Sequence, residues 1–266
     1  GRMGALNSGQ SSWSKVGMIN AFGTSYGDFT AQASNVFSLA GQWDNMIAYE
    51  TPDFAGFKLF AQYGMGSNDN ENESSSDRFY SLGVTYNNGP FAGYLAVDSI
   101  NYKTAKFGTG EYPNNGDDID DSLTVTFGGN YDFEVVKLFA GAQYFDEIKL
   151  SNMKGAVNFE DADSGIATKM KGWSLGVSGS IPVAGGNVLV GAAYLDAEAA
   201  DSVKDATKND ELTRWIVSAG YDYPLSKRTN VYGILTYNQD SIDSDNKASE
   251  RDPSVFGVMV GLRHKF

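Results

Sequence analysis

The chain has 266 residues, 41% of them hydrophobic, yet its mean hydropathy is only −0.32, so long apolar runs of the kind that fill a soluble core are missing. A formal charge of −13 and an isoelectric point near 4.4 make it a poor partner for nucleic acid, and the lack of cysteine excludes disulfides, thiolate metal sites and thiol nucleophiles. No run approaches the roughly 18 apolar residues of a membrane helix, while 31 Gly, 15 Tyr and 16 Phe against 6 Pro suit an all-β barrel or sandwich.

Residues 3–39 show no clear period. They carry one acid, Asp28, and one base, Lys15, among Trp13, Val16, Met18, Ile19, Phe22, Tyr26, Phe29, Val36 and Phe37. Leaving that much apolar surface in water is costly, so this stretch is expected to line a wall and not to project as a loop.

From residue 43 onward one unit repeats: an alternating strand, a short turn, a second strand and a long polar stretch. Trp43, Asn45, Ile47 and Tyr49 alternate with Asp44, Met46, Ala48 and Glu50, and a turn follows at 52–56. Phe57, Leu59, Ala61 and Tyr63 then alternate with Lys58, Phe60, Gln62 and Gly64. Tyr80, Leu82, Val84 and Tyr86 share the next face, Asn87–Pro90 turns the chain, and Phe91, Gly93, Leu95 and Val97 return. Leu123 to Tyr131 is the cleanest run of period two, and Val136 to Tyr144 follows it. The same reading gives Trp173 to Ile181, Val188 to Tyr194, Trp215 to Tyr223, a strand over 229–240 whose faces are ambiguous, and a last strand over 253–266.

The count is about eleven strands in up-and-down order, with loops alternately short and long. That asymmetry is expected of a transmembrane antiparallel β-barrel with tight periplasmic turns and long extracellular loops. Aromatics recur near the strand ends, as at Trp43 and Tyr49, Phe57 and Tyr63, and Trp215 and Tyr223, which suits two interfacial girdles. The opposite face reads as small or polar. A soluble barrel around a greasy ligand is the competing pattern, but so many strands would leave too wide an interior for side chains to fill.

Three motifs carry a family resemblance. The end of the chain reads PSVFGVMVGLRHKF, with Phe256, Val258, Val260, Leu262, His264 and Phe266 on one face. It resembles the C-terminal signal by which outer-membrane barrels are recognised by their assembly machinery. Tyr223–Tyr232 is similar to the turn before the penultimate strand of the general Gram-negative porins, and Tyr49–Phe57 to their turn after the pore loop. The resemblance covers the whole chain. It implies a sixteen-stranded homotrimeric diffusion channel of the outer membrane, in contact with lipid and lipopolysaccharide, whose third extracellular loop narrows the lumen. In that frame residues 3–39 are the constriction loop and 43–266 are strands six to sixteen of a single barrel domain. Strands one to five are then missing, and the chain is expected to be a piece of a longer one.

By the same resemblance Arg2 stands at the end of strand five, where a pore-facing Arg is common, and Asp28 is the loop's candidate anion. Strand parity turns Glu50, Lys58 and Arg214 toward the lumen. Each could equally be a solvated side chain without a role in selectivity. No cofactor, resident metal or reaction chemistry is implied. A barrel hydrolase would want a His beside Asp or Ser, and the one His, His264, belongs to the final strand. The acidic run 114–121 could bridge divalent cations but lacks EF-hand spacing. A plugged or structural, adhesin-like barrel differs from a channel only in what fills its lumen.

Overall fold

The computed structural model describes residues 1–9, 13–23, 26, 31, 35–65, 77–102, 106–107, 110–111, 120–149, 169–202, 210–244 and 250–265. Eleven strands form one antiparallel sheet in strict chain order. They are β1 (Met46–Glu50), β2 (Phe57–Gly64), β3 (Arg78–Asn88) and β4 (Phe91–Asn101). Next come β5 (Ser122–Asp132), β6 (Lys137–Lys149), β7 (Lys169–Val183) and β8 (Gly186–Ala199). The sheet ends with β9 (Glu211–Ser226), β10 (Thr229–Asp243) and β11 (Ser254–His264). Each strand pairs with its neighbours in sequence, and β1 and β11 are the two edges. Two short antiparallel pairs stand apart, Met3–Gly4 with Gln42–Trp43 and Lys106–Phe107 with Gly110–Glu111.

All short turns lie at one end of the sheet and all long connections at the other. One of the two-residue turns is Ala184-Gly185, with φ of +51° and +81°, the left-handed turn whose twist matches the flanking strands. At the first turn Gly56 has φ of +90°, and a Cβ there would stand 2.2 Å from the Asn87 carbonyl oxygen, so only glycine fits.

Alternation gives the sheet two unlike faces. On one, Leu82, Phe256, Val258 and Val260 are 62–83% exposed, an apolar surface that only lipid would tolerate over this extent. Aromatics form two bands on it. Near the long connections lie the pairs Tyr63–Tyr80 (5.2 Å between ring centres), Trp173–Tyr194 (5.5 Å) and Trp215–Tyr237 (5.1 Å). Near the short turns lie Phe57–Tyr86 (4.2 Å) and Tyr131–Phe133 (4.5 Å). Such cross-strand and near-neighbour aromatic contacts are among the stronger pairings a sheet offers. The faces of β10 are also resolved: Leu235 is exposed on the apolar side, while Ile234, Thr236, Asn238 and Asp240 are buried on the other.

Two sequence expectations are corrected. Trp43 does not share a strand and a face with Tyr49. Asn45 has φ of +54°, which breaks the strand, and the Trp43 ring stacks on the buried Phe79 at 5.2 Å, on the inner side. The inner face is small or polar on β5 and, Phe79 apart, on β3, as at Ser81, Thr85, Thr124 and Thr126, but not throughout. Phe145, Leu189, Leu195, Ile216 and Ile234 are buried on it, because the N-terminal segment covers them with apolar side chains of its own.

Candidate functional site

The described residues among 1–41 lie along the concave face of the sheet, and the wall's polar side chains hold their backbone. The outgoing leg begins at β2, where Leu6 N–H donates to Gln62 Oε1 and Gln62 Nε2 donates to Gly4 O, both at 3.3 Å. A 3-10 turn at Val16–Met18 follows, and Asn130 Nδ2 on β5 donates to Met18 O at 2.8 Å. Ala21 N–H then donates to Ser178 Oγ on β7 at 2.9 Å. At the far end the Tyr26 hydroxyl donates to Asp222 on β9.

The chain then climbs β9 and returns. Ala31 N–H donates to Ser218 Oγ at 2.8 Å, and Arg214 Nη1 donates to Asn35 O at 2.7 Å. Asp222, Ser218 and Arg214 are four residues apart on one face of β9, so the return leg lies nearer the long connections than the outgoing one. Ser38 meets Gln143 on β6, accepting from its Nε2 at 3.1 Å and donating to its Oε1 at 2.6 Å. The legs are also tied to each other. Asn7 Nδ2 donates to Ser38 O (3.0 Å), Ala40 N–H to Asn7 O (3.1 Å), and Asn20 Nδ2 to Ala31 O (2.7 Å).

Apolar packing accompanies these bonds. Leu6, Val16, Ile19, Phe22, Val36 and Phe37 are each at most 1% exposed, and each contributes about 1.5–3 kcal/mol relative to standing in water. Glycines on the wall permit the approach. A Cβ at Gly141 would be 2.9 Å from Ile19, and one at Gly191 would be 2.8 Å from the Phe22 ring.

Among the described residues, three charge clusters lie against this segment. Arg214 and Asp240 form a pair with both side chains fully buried, Nε to Oδ1 at 2.6 Å and Nη2 to Oδ2 at 2.9 Å. Asp222 accepts from Tyr26, from Asn230 Nδ2 at 2.7 Å and from Arg263 Nη2 at 3.2 Å. The Arg263 guanidinium lies 4.9 Å from the centre of the Tyr26 ring. Burial first, and then the Asp222 carboxylate, push the Tyr26 hydroxyl up to about 12. The third cluster is Lys58 and Glu50, paired at 2.6 Å and about one-third exposed, with Lys15 nearby. Lys15 Nζ stands 5.4 Å from the centre of the Phe60 ring, and burial lowers its pKa, with Glu50 opposing and Lys58 adding to that shift.

The expected site residues fall into these groups unevenly. Glu50 and Lys58 stand together on the inner side. Arg214 also points inward, but it is buried beneath Asn35 and matched by Asp240, so it anchors the segment and offers no free charge. Arg2 is exposed, 3.7 Å from Asp44, and Asp28 lies outside the described residues. On β11, Phe256, Val258, Val260 and Leu262 face outward, the His264 ring nitrogen is 2.8 Å from Thr229 Oγ1, and Phe266 lies outside the described residues. Most of the acidic run 114–121 is outside them as well. Arg263 and Gln143 were missed, as was the partner of Tyr26. Parity alone puts Arg263 opposite Leu262, on the inner face, so that one was within reach of the sequence.

The chain was compared with known proteins. A family model described as Gram-negative porin matches residues 2–243. An outer membrane porin protein of Bordetella pertussis is 27% identical over 271 residues, covering 94% of this chain and 64% of its own length. Outer membrane porin protein 32 of Delftia acidovorans is 30% identical over 236 residues, covering 84% of this chain and 56% of its own length. The chain thus spans somewhat under two thirds of these relatives. Among solved structures, the anion-selective porin from Comamonas acidovorans superposes with a TM-score of 0.59 at 22% identity, over 94% of this chain and 72% of that one. An outer membrane protein of Vibrio cholerae gives 0.62 at 16% identity, over 100% of this chain and 75% of that one. Those two likenesses concern the β-barrel fold, and the family match over nearly the whole chain concerns descent: the chain belongs to the Gram-negative porin family, whose place is the bacterial outer membrane.

Proposed function

We propose that this protein is a passive channel for ions and small hydrophilic solutes, narrowed by residues 3–39. The observation that carries the reading is the path of that segment, bonded along the inner wall from Gln62 on β2 to Asp222 on β9 and back to Gln143 on β6. A chain held inside a barrel curve reduces the bore without closing it, and charges left at its rim bias which ions pass. Arg2, Asp28, Glu50 and Lys58 are the charges proposed for that rim, and Arg214 the anchor beneath it. The partners proposed are two further copies in a homotrimer, outer-membrane lipid and lipopolysaccharide, and the assembly machinery that would read β11. No step of bond making is assigned to any residue.

The test is conductance of the native protein in planar bilayers. Stepwise openings that scale with salt are expected. A tight seal at all voltages would instead favour a plugged barrel. That second reading draws on one observation: Leu189, Leu195, Ile216 and Ile234 make much of the inner wall apolar under the segment.

A further inference from the structure

The wall between β3 and β5 holds a buried carboxylate that none of the contacts above explains. Asp98, on the inner face of β4, is 3% exposed, and Ser81, opposite it on β3, is 2% exposed. Among the described residues, neither carboxylate oxygen of Asp98 has a hydrogen bond of good geometry, and the Ser81 hydroxyl opposite it is the neutral group close enough to act on it. Asp98 faces a cavity of about 10 Å³, which it shares with Ser122, Thr124 and Tyr102 and which Ser38 of the inward segment helps to close. That is room for one water-sized particle.

The charge of Asp98 is the difficulty. A buried anion without a countercharge is strongly disfavoured, and a neutral hydroxyl or water would solvate it without balancing it. The ammonium described beside the cavity's Tyr102 is already matched. Lys169 Nζ lies 3.1 Å from Glu147 Oε2 and 3.0 Å from Asp120 O, and presents itself to the Tyr102 ring at 4.8 Å.

We propose that Asp98 holds one monovalent cation in this cavity, with sodium the natural fit. The side-chain polar groups lining it are all oxygens: a carboxylate, the hydroxyls of Ser122 and Thr124, and the Tyr102 phenol. Hard cations prefer such ligands. One carboxylate balances one positive charge. A divalent ion would leave excess charge buried and would want six to eight oxygens, more than this pocket offers. The bound ion ties β4 to β5 behind Ser38, so its effect is on the rigidity of the wall that the segment leans against.

The experiment uses the native protein at fixed pH and constant ionic strength, with sodium chloride exchanged for N-methylglucamine chloride. Sodium should raise the unfolding temperature by roughly 2–4 °C once well above its dissociation constant. Asp98→Asn should remove that difference while keeping the fold, because it deletes a buried charge without changing shape. Crystals soaked in thallium(I) should show an anomalous peak beside Asp98. No peak and no sodium dependence would overturn the proposal. Stability that ignores the choice of cation but rises on acidification, and loses that rise in Asp98→Asn, would also overturn it by showing that a proton neutralises the site.

Discussion

Gln143 and Ser38 grip each other twice. The Gln143 amide accepts from the Ser38 N–H at 2.6 Å and donates to the Ser38 carbonyl at 3.1 Å, so one side chain of the wall imitates a neighbouring strand. Asn7 also donates to that carbonyl, which leaves the N–H as the group that depends on Gln143 alone among the bonds described. Gln143→Leu should therefore strand a buried donor at a cost of about 1–3 kcal/mol. Faster hydrogen exchange at residues 35–40 and a larger single-channel conductance are the expected readouts. Unchanged exchange there would mean that the return leg is held by its apolar contacts alone.

The Arg214–Asp240 pair should respond in opposite ways to single and double replacement. Asp240→Asn leaves a buried guanidinium unbalanced and should destabilise by about 3–5 kcal/mol. Arg214→Met combined with Asp240→Leu removes both charges and should restore most of that loss, since the pair is fully buried and its neighbours Leu212 and Ile216 are apolar. Thermal unfolding of the two variants beside the unaltered protein decides it. A double variant as unstable as the single one would show that the bond from Arg214 to Asn35 O carries the effect.

Tyr26 gives the segment an alkaline limit. Its pKa is raised to about 12 in the folded protein from an ordinary value of 10. A group that holds its proton more tightly when folded adds stability below its unfolded pKa and loses it as pH rises through the folded one. The contribution is thus complete below pH 10 and disappears between about 10 and 12. Proteolytic cleavage near the segment's far end should increase across that window. In Tyr26→Phe the increase should vanish, because no proton is left to lose. An identical alkaline profile in both proteins would place the titration elsewhere.

Much of the fold was legible because a strand's period is short and local. Leu123, Val125, Phe127, Gly129 and Tyr131 could be assigned to one face by counting alone, and the loop lengths then ordered the strands. The inward path of the N-terminal segment was legible for a different reason: Phe22 and Phe37 are too apolar for a water-exposed loop, and both are buried. The partners of those rings were not legible. Phe22 lies over Gly191, and Tyr26 reaches Asp222. Such pairings join residues more than 160 positions apart, and nothing local encodes them. Trp43 misled for a local reason, since Asn45 takes up a left-handed conformation that alternation cannot reveal.

The last prediction concerns ion preference. Glu50 and Lys58 pair at 2.6 Å across β1 and β2, about one-third exposed, with Lys15 close enough for both to act on it. Neutralising either partner leaves the other's charge facing the solution. Glu50→Gln should move the reversal potential in a potassium chloride gradient toward anions, and Lys58→Gln toward cations. Lys15→Met should shift it in the same direction as Lys58→Gln. These shifts act through water, so they should shrink with salt, from about 0.1 M, where screening reaches roughly 10 Å, to about 1 M, where it reaches roughly 3 Å. Alkaline pH adds a check. Burial lowers the pKa of Lys15 while Glu50 holds it up. In Glu50→Gln that support is gone, so Lys15 should give up its charge at a lower pH than in the unaltered protein. The gain in anion preference should then fade at alkaline pH earlier than it would if Lys58 alone carried it. Reversal potentials that are the same in all three variants and at both salt concentrations would remove this cluster from the ion path.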